Sequence, residues 1–185
     1  MIKKIIVIFI FILFIKPTLA KEDTMILKLK DGNVIIELFS DKAPNHVKRF
    51  KQLSKEKKYD GVVFHRVIDG FMAQTGDVEY GNSNLETYDI RRAGTGGSEY
   101  PDLKAEFSNL PHERGTLSMA RSAHPDSANS QFFICLEPAP HLDRNYTVFG
   151  KVIEGMEYVD KIKRGDEKLN GSVQNPDKII SFKTL

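Results

Sequence analysis

The sequence GVVFHRVIDGFMAQTG, from Gly61 to Gly76, contains two short apolar runs, Val62–Ile68 and Phe71–Thr75. Three further runs of the same kind follow at Gly115–Ala120, Gln131–Leu136 and Tyr146–Val152. Each run has the length of a β-strand, and polar or glycine-rich segments separate the runs from one another. Short strands at such intervals are typical of a β-barrel or a β-sandwich, so the sequence predicts a mainly β fold.

The segment before these runs predicts a hairpin and a helix. Asp31-Gly32 lies between two β-branched, apolar runs, and Asp-Gly in this position favours a tight turn. The helix that follows is expected to have Pro44 in its first turn and Ser40 or Asp41 as its cap. Its buried face is expected to contain three residues at steps of three, which are Val47, Phe50 and Leu53.

The segment after these runs predicts a second helix and a last strand. Met156, Val159 and Ile162 recur at helical spacing within Gly155–Lys163. The run Ile179–Phe182 is apolar and of strand length. The chain contains no repeat and no interdomain linker, and its 185 residues suit a single domain.

Composition and charge exclude several classes of protein. The chain is 41% hydrophobic and 28% charged, which is the balance of a globular protein with a sizeable core. Three of its 27 basic residues lie among the first twenty residues, which leaves 24 basic residues against 25 acidic ones in the remainder. This near-neutral remainder gives no electrostatic reason to expect a nucleic acid or an anionic membrane as partner.

The first twenty residues have the features of a signal peptide. Lys3 and Lys4 form a positive start, the apolar stretch Ile5–Ile15 follows, and Thr18-Leu19-Ala20 suits cleavage. A bilayer-spanning helix needs about twenty apolar residues, so this shorter stretch predicts cleavage and no stable membrane insertion. We therefore expect a signal peptide at 1–20 and an exported domain at 21–185, periplasmic if the source is a Gram-negative bacterium. An uncleaved membrane anchor is the alternative.

Arg66 is notable because it interrupts an apolar strand. Strand alternation puts Phe64, Arg66 and Ile68 on one face. An arginine among apolar neighbours is costly unless it is paired or aimed at a ligand. Two other strands also combine a polar and an apolar residue on one face, in the pairs Met72 with Gln74 and Gln131 with Phe133. These polar residues are either structural hydrogen-bonding groups or parts of one shared site.

The apolar runs belong to longer motifs. These are Phe64–Asp77 (FHRVIDGFMAQTGD), Gly94–Gly97 (GTGG), Ala105–Phe107 (AEF), Leu117–Ala120 (LSMA), Ser130–Ile134 (SQFFI) and Val148–Lys151 (VFGK). In this order they resemble the cyclophilin family of peptidyl-prolyl cis-trans isomerases, and the resemblance extends over Met25–Leu185. It implies a closed eight-stranded antiparallel β-barrel capped by two α-helices, and isomerase activity.

The resemblance also implies roles for individual residues. The catalytic arginine of the family corresponds to Arg66, with His65 as a supporting group. The residues that would form the proline pocket are Phe71, Met72, Phe133 and Leu142. The residues that would hold the substrate backbone are Gln74, Ala120, Arg121 and Gln131. His141 and Tyr146 complete the implied substrate-binding residues, at positions where better-known eukaryotic members have a rim tryptophan and a histidine. These changes, and Arg121 in place of a common asparagine, resemble bacterial members.

The implied reaction breaks no bond, so we expect no nucleophile, no metal and no cofactor. An Xaa-Pro amide resists rotation by about 18–20 kcal/mol, because its nitrogen lone pair is delocalised. Arg66 can donate to the amide nitrogen or to the carbonyl oxygen as this resonance is lost, which makes the contact selective for the transition state. The expected partners are unfolded or partly folded polypeptides with Xaa-Pro bonds, and the expected oligomeric state is a monomer.

Other kinds of site are less well supported. A nucleophilic pair of Cys135 with a histidine lacks an acid at triad spacing, and Cys135 lies inside an apolar strand. The histidines lack recognisable metal spacing. Gly94–Gly97 lacks the lysine and the following helix of a phosphate loop. One alternative function stays open, that of a non-catalytic, chaperone-like binder of proline-containing segments.

Overall fold

The computed structural model describes residues 23–185, and the predicted signal peptide at 1–20 lies outside them. Within these residues the strands are β1 (Thr24–Lys28), β2 (Asn33–Leu38), β3 (Arg66–Ile68), β4 (Met72–Thr75), β5 (Thr116–Met119), β6 (Phe132–Cys135), β7 (Val148–Glu154) and β8 (Ser181–Thr184). The α-helices are α1 (Pro44–Lys55) and α2 (Met156–Val159). In this part of the chain, no helix is long and apolar enough to cross a membrane.

The eight strands form one antiparallel sheet in the order β3-β4-β6-β5-β7-β2-β1-β8. The sheet curls until segments beside its two edges meet. There the amide of Phe64 donates to the carbonyl of Asp177 (2.9 Å), and the amide of Val67 donates to the carbonyl of Gly171 (2.8 Å). The predicted eight-stranded antiparallel barrel with two helices is therefore confirmed, and its seam between β3 and β8 consists of irregular backbone.

The helix α1 has Pro44 in its first turn, as predicted, but it lacks the predicted cap. Its N-cap residue is Ala43, so the assignment of the cap to Ser40 or Asp41 was wrong. Both residues precede the N-cap position by at least two residues, out of register with the first-turn amides. The carboxylate of Glu106 acts in their place, because it accepts hydrogen bonds from two first-turn amides at 3.1 Å each.

One apolar core fills the barrel, and aromatic rings meet at its centre. The ring of Phe50, on α1, lies 4.9–5.4 Å from four others, which belong to Tyr59, Phe132, Phe149 and Phe182. Val47 and Leu53 are buried with Phe50, which confirms the predicted inner face of the helix. Burial of such side chains is the main driving force for folding.

The helix α2 buries the predicted side chains but is shorter than predicted. Val159 and Ile162 both lie in the barrel core. After Val159, however, the amide of Ile162 bonds to a carbonyl only three residues back (3.1 Å). The amide of Lys163 donates to the carboxylate of Asp177 (2.8 Å), so it is not available to extend the helix.

The predicted strand Val62–Ile68 is regular only over its last three residues, which form β3. Phe64 and Val67 are both buried in the barrel core, whereas Ile68 packs against a separate apolar cluster. The prediction that Phe64 shares a face with Arg66 was therefore wrong. Before β3 the chain makes only single bridges to other segments, so it does not keep the regular pleat on which alternation depends.

Candidate functional site

Two apolar clusters lie on opposite faces of β4 and β6. In β6, Phe132 and Ile134 belong to the barrel core, while Phe133 and Cys135 belong to a second cluster, which we call the outer cluster. The buried members of the outer cluster are Met72, Phe133, Cys135, Ala139 and Leu142. The partly buried residues packed against it are Ile68, Phe71, Ala120 and Tyr146. Alternation along each strand thus supplies side chains to both clusters.

The outer cluster opens into a cavity of about 220 Å³. The cavity is lined by Arg66, Phe71, Met72, Gln74, Ala120, Arg121, Phe133, Leu142 and Tyr146. All of these residues were assigned to the site from the sequence, and the structure brings them together. Five of the nine lining residues are apolar and the other four bring polar groups to the same cavity, a combination that suits a ligand-binding pocket.

Arg66 and two glutamines form a chain of hydrogen bonds beside this pocket. Gln74 lies directly opposite Arg66 in the β3–β4 pair, and the Nη1 of Arg66 donates to its Oε1 (3.2 Å). The Nε2 of Gln74 donates to the Oε1 of Gln131 (3.0 Å), and the Nε2 of Gln131 donates to the carbonyl of Gly96 (2.8 Å). In each glutamine the side-chain oxygen accepts a hydrogen bond and the side-chain nitrogen donates one. These hydrogen bonds therefore fix the side-chain oxygen of Gln74 towards Arg66.

A residue that sequence reasoning missed holds the other side of Arg66. The Nε of Arg66 donates to the backbone carbonyl of Asn170 (3.0 Å), and its Nη2 donates to the Oδ1 of Asn170 (2.9 Å). Within residues 23–185, Arg66 forms no ion pair with a carboxylate. Partial burial lowers the pKa of its guanidinium, which nevertheless stays protonated at neutral pH. Its charge is therefore available to a ligand.

His65 is buried beside Arg66, with 6% of its surface exposed. Neither ring nitrogen has a hydrogen-bond partner among the described residues. Burial lowers the pKa of His65 to about 4; the carboxylate of Asp77 opposes this shift, and the charge of Arg66 adds to it. The imidazole is therefore neutral at physiological pH and supports the site by packing.

The glycine-rich loop Gly94–Gly97 packs against His65 and is organised by Asp77. The Asp77 carboxylate accepts hydrogen bonds from the amides of Gly94 (2.7 Å) and Gly96 (2.9 Å). A Cβ at Gly94, whose φ is +101°, would lie 2.8 Å from the His65 ring. The two loop amides that a phosphate would need are thus already bonded to a carboxylate, which argues against phosphate binding here.

A second cavity, of about 290 Å³, adjoins the first. Gln74, Ala120 and Arg121 line both cavities, so the two form one continuous surface. The further lining of the second cavity consists of Gly94, Thr95, Gly96, Gly97, Asp102, Ser122, Ser127, Asn129 and Gln131. This part is polar, in contrast to the outer cluster, and it gives room for a chain that extends beyond the apolar pocket.

Arg121 and Tyr146 form one wall of the pocket, and His141 lies at its edge. The Arg121 guanidinium donates to the carbonyl of Asn145 (3.1 Å) and lies 4.4 Å from the centre of the Tyr146 ring. Most donors of Arg121 are thus used to join two loops of the protein. The exposed His141 does not line the cavity, and its ring lies 5.4 Å from that of Phe71.

A buried polar network behind the pocket also escaped the sequence analysis. The Nδ1 of His112 contacts the carboxylate of Asp143 (2.9 Å), and its Nε2 contacts the hydroxyl of Ser118 (3.0 Å). Burial lowers the pKa of His112, which favours the neutral ring, and the Ser118 hydroxyl donates to the carbonyl of Thr147 (3.1 Å). Ser118 is fully buried and cannot act as a nucleophile. The network instead ties the loop after Leu142 to the barrel.

The described residues lend no support to a metal site or a reactive thiol. Within residues 23–185, no group of three or more metal-ligating side chains is arranged to hold a metal ion. Cys135 is fully buried, and burial raises the pKa of its thiol to about 12. A thiol with this pKa is not a nucleophile at neutral pH.

Comparisons with known proteins agree with this geometry. Residues 24–184 match the family model described as cyclophilin type peptidyl-prolyl cis-trans isomerase. A probable peptidyl-prolyl cis-trans isomerase of Brucella suis biovar 1 is 61% identical over 159 residues, which cover 86% of this chain and 81% of that protein. A cyclophilin crystal structure from Hirschia baltica superposes with a TM-score of 0.75 at 24% identity, covering 90% of this chain and 75% of that one. A Cryptosporidium parvum cyclophilin type isomerase, crystallised in the presence of the dipeptide Ala-Pro, gives a TM-score of 0.73 at 27% identity and covers 88% and 98%.

Proposed function

The chain belongs to the cyclophilin family of peptidyl-prolyl cis-trans isomerases, and from this membership we propose that it accelerates Xaa-Pro rotation in exported proteins as they fold, with Arg66 as its catalytic residue. The observation that carries this proposal is the position of the Arg66 guanidinium, which is oriented by uncharged acceptors and lines the same cavity as the apolar residues of the outer cluster. The relative crystallised with Ala-Pro supports a proline-containing peptide as the ligand. We further propose that the protein works as a monomer.

The pocket suits a proline ring, and the polar edge suits the amide that precedes it. Phe71, Met72, Phe133 and Leu142 provide an apolar floor that would fix the ring and exclude water. Gln74 and the backbone of Ala120 lie on the surface shared by the two cavities. They would hold the chain on one side of the bond while the other side turns.

Arg66 would act on the amide itself. As the bond twists, the nitrogen regains its lone pair and the carbonyl loses its conjugation, so a donor placed there gains strength only in the transition state. A charge-assisted hydrogen bond of about 1.5–3 kcal/mol corresponds to roughly one to two decades in rate. Orientation of the peptide and the dry pocket would supply the rest.

The test is proline isomerisation by the purified protein and by its Arg66→Ala variant. The substrates are a short Ala-Pro peptide and a protein whose refolding is limited by proline. We expect kcat/KM to fall at least about tenfold in the variant, from the loss of one charge-assisted hydrogen bond. Arg91→Ala is the matched control, because Arg91 pairs with Asp89 on the surface with 87% of its side chain exposed. Equal activity of Arg66→Ala and the parent protein would refute the catalytic role.

A holding function without turnover is the second candidate, supported by the polar cavity that extends beyond the pocket. Suppression of aggregation of an unfolded client separates the two functions. If Arg66→Ala retains the suppression while isomerisation collapses, holding is an independent activity.

The export part of the proposal rests on residues 1–20. We expect the protein recovered from the exporting cell to begin at Lys21, as determined by mass spectrometry of the intact chain. Leu13→Arg, which interrupts the apolar stretch, should leave the chain uncleaved and inside the cell. An intact N-terminus on the parent protein would contradict cleavage.

A further inference from the structure

Asn170 provides two acceptors to one side of the Arg66 guanidinium. Its backbone oxygen accepts from Nε (3.0 Å), and its side-chain Oδ1 accepts from Nη2 (2.9 Å). On the other side, the Oε1 of Gln74 accepts from Nη1 (3.2 Å). Two parallel hydrogen bonds to adjacent nitrogens resemble the grip of a carboxylate on an arginine, but here both acceptors are uncharged.

We propose that Asn170 is a positioning residue for the isomerase reaction, which orients the guanidinium of Arg66 without neutralising it. This inference rests on the catalytic role proposed for Arg66. A guanidinium has five N–H groups, and these contacts use three of them. One N–H on Nη1 and one on Nη2 stay free for the substrate, in a plane that Asn170 and Gln74 fix together.

The backbone holds Asn170 in place independently of Arg66. Asn170 ends a short 3-10 turn at Glu167–Leu169 in the left-handed conformation, with φ +54° and ψ +37°. Asparagine tolerates this conformation better than most residues with a Cβ. The next residue, Gly171, accepts a hydrogen bond from the amide of Val67 (2.8 Å), which pins the loop to β3 directly beside Arg66.

An uncharged clamp suits this reaction better than an acid would. A carboxylate in this position would pair with Arg66 and weaken its attraction for the twisted amide. The two uncharged acceptors of Asn170 leave the positive charge of Arg66 available to the substrate. They also keep the guanidinium aligned with the reacting amide. The effect should therefore fall on kcat rather than on substrate binding.

The first test compares two asparagine-to-glycine variants. Asn170→Gly keeps the left-handed backbone and its carbonyl but removes Oδ1, and kcat should fall about threefold to tenfold with KM nearly unchanged. Asn175→Gly is the matched control, because Asn175 is also left-handed (φ +51°) and lies in the same loop region. This control should keep the parent activity. Equal losses in the two variants would overturn the proposal.

The second test repeats Asn170→Gly in the Arg66→Ala background. If Asn170 acts through Arg66, the added substitution should change kcat/KM less than about 1.5-fold there. A loss as large as in the parent background would show a merely structural role and overturn the proposal. In nuclear magnetic resonance spectra of the parent background, Asn170→Gly should also speed the rotation that averages the Nη signals of Arg66.

These tests distinguish failure of this inference from failure of the proposed function. Full activity of Arg66→Ala would remove the catalytic role of Arg66 and the positioning role of Asn170 with it. Loss of activity in Arg66→Ala, together with parent activity in Asn170→Gly, would overturn the positioning role alone.

Discussion

The barrel core and the outer cluster take side chains from the same strands, but the barrel core lies inside the barrel and the outer cluster borders a cavity. In the barrel core, the rings of Phe50 and Phe132 are both fully buried and lie 5.1 Å apart, edge to face. In the outer cluster, Phe133 is also buried, yet it lines a cavity together with Arg66. A single sheet can therefore stabilise the fold with one face and offer a binding pocket on the other.

The largest expected effect comes from truncating two adjacent phenylalanines in turn. Phe132→Ala leaves a sealed void in the barrel core and should lower the free energy of unfolding by about 3–5 kcal/mol. Phe133→Ala opens onto the cavity and should lower it by about 1–3 kcal/mol, while reducing kcat/KM more strongly. Urea denaturation and isomerase kinetics on the folded fraction measure both. Equal losses of stability in the two variants, or a greater loss of activity in Phe132→Ala, would contradict the assignment of stability to the barrel core and of binding to the outer cluster.

The next effect tests whether water reaches the buried ring of His65. The pKa of His65 falls from 6.5 to about 4 on folding, so only the unfolded chain takes up this proton between those values. Stability from this group is complete above pH 6.5 and declines as the pH falls towards 4, by about 3 kcal/mol in all. Urea denaturation between pH 7.5 and pH 4 should reveal this decline.

His65→Gln should flatten part of that decline. Burial also lowers the pKa of His46 and of His112, so a smaller slope should persist in the variant. His124→Gln serves as the control for the histidine-to-glutamine change itself, because His124 is exposed on the surface. An unchanged slope in His65→Gln would mean that water reaches the ring.

The smallest effect should separate stability from activity. Glu106→Gln removes the charge that caps α1, a helix that packs on the barrel core, and should lower the free energy of unfolding by about 1 kcal/mol. Isomerase activity should not change. Glu113→Gln is the control, because Glu113 forms an exposed pair with Lys151 (2.7 Å). Its loss should change stability by less than about 0.5 kcal/mol. Reduced activity in Glu106→Gln would link α1 to the site.

The sequence predicts the parts of the site that depend on strand periodicity. Met72 and Gln74 share a face because β4 is regular, and the same holds for Gln131 and Phe133 at the start of β6. Phe64 departs from this rule because regular pairing begins only at Arg66. Periodicity is thus informative only where the ladder is continuous.

The groups that sequence reasoning missed are those supplied from far along the chain. Asn170 bonds to a residue 104 positions away, and Glu106 caps a helix about 60 positions before it. No local pattern marks such partners, because the contact exists only once the barrel brings two loops together. The Asn-Gly pair at 170–171 signals a left-handed turn, but it does not reveal which side chain the turn serves.

The pairing of β1 with β8 has a consequence for biosynthesis. Met25 lies opposite Thr184, so strands from the two ends of the described chain are neighbours in the sheet, next to the seam between β3 and β8. Phe182, in β8, also packs against Phe50 in the barrel core. A growing chain therefore cannot complete this sheet until its last strand has been synthesised, and pairing over such separations is slow. Until β8 has been synthesised, β1 of this isomerase is paired only with β2, and its other edge stays open.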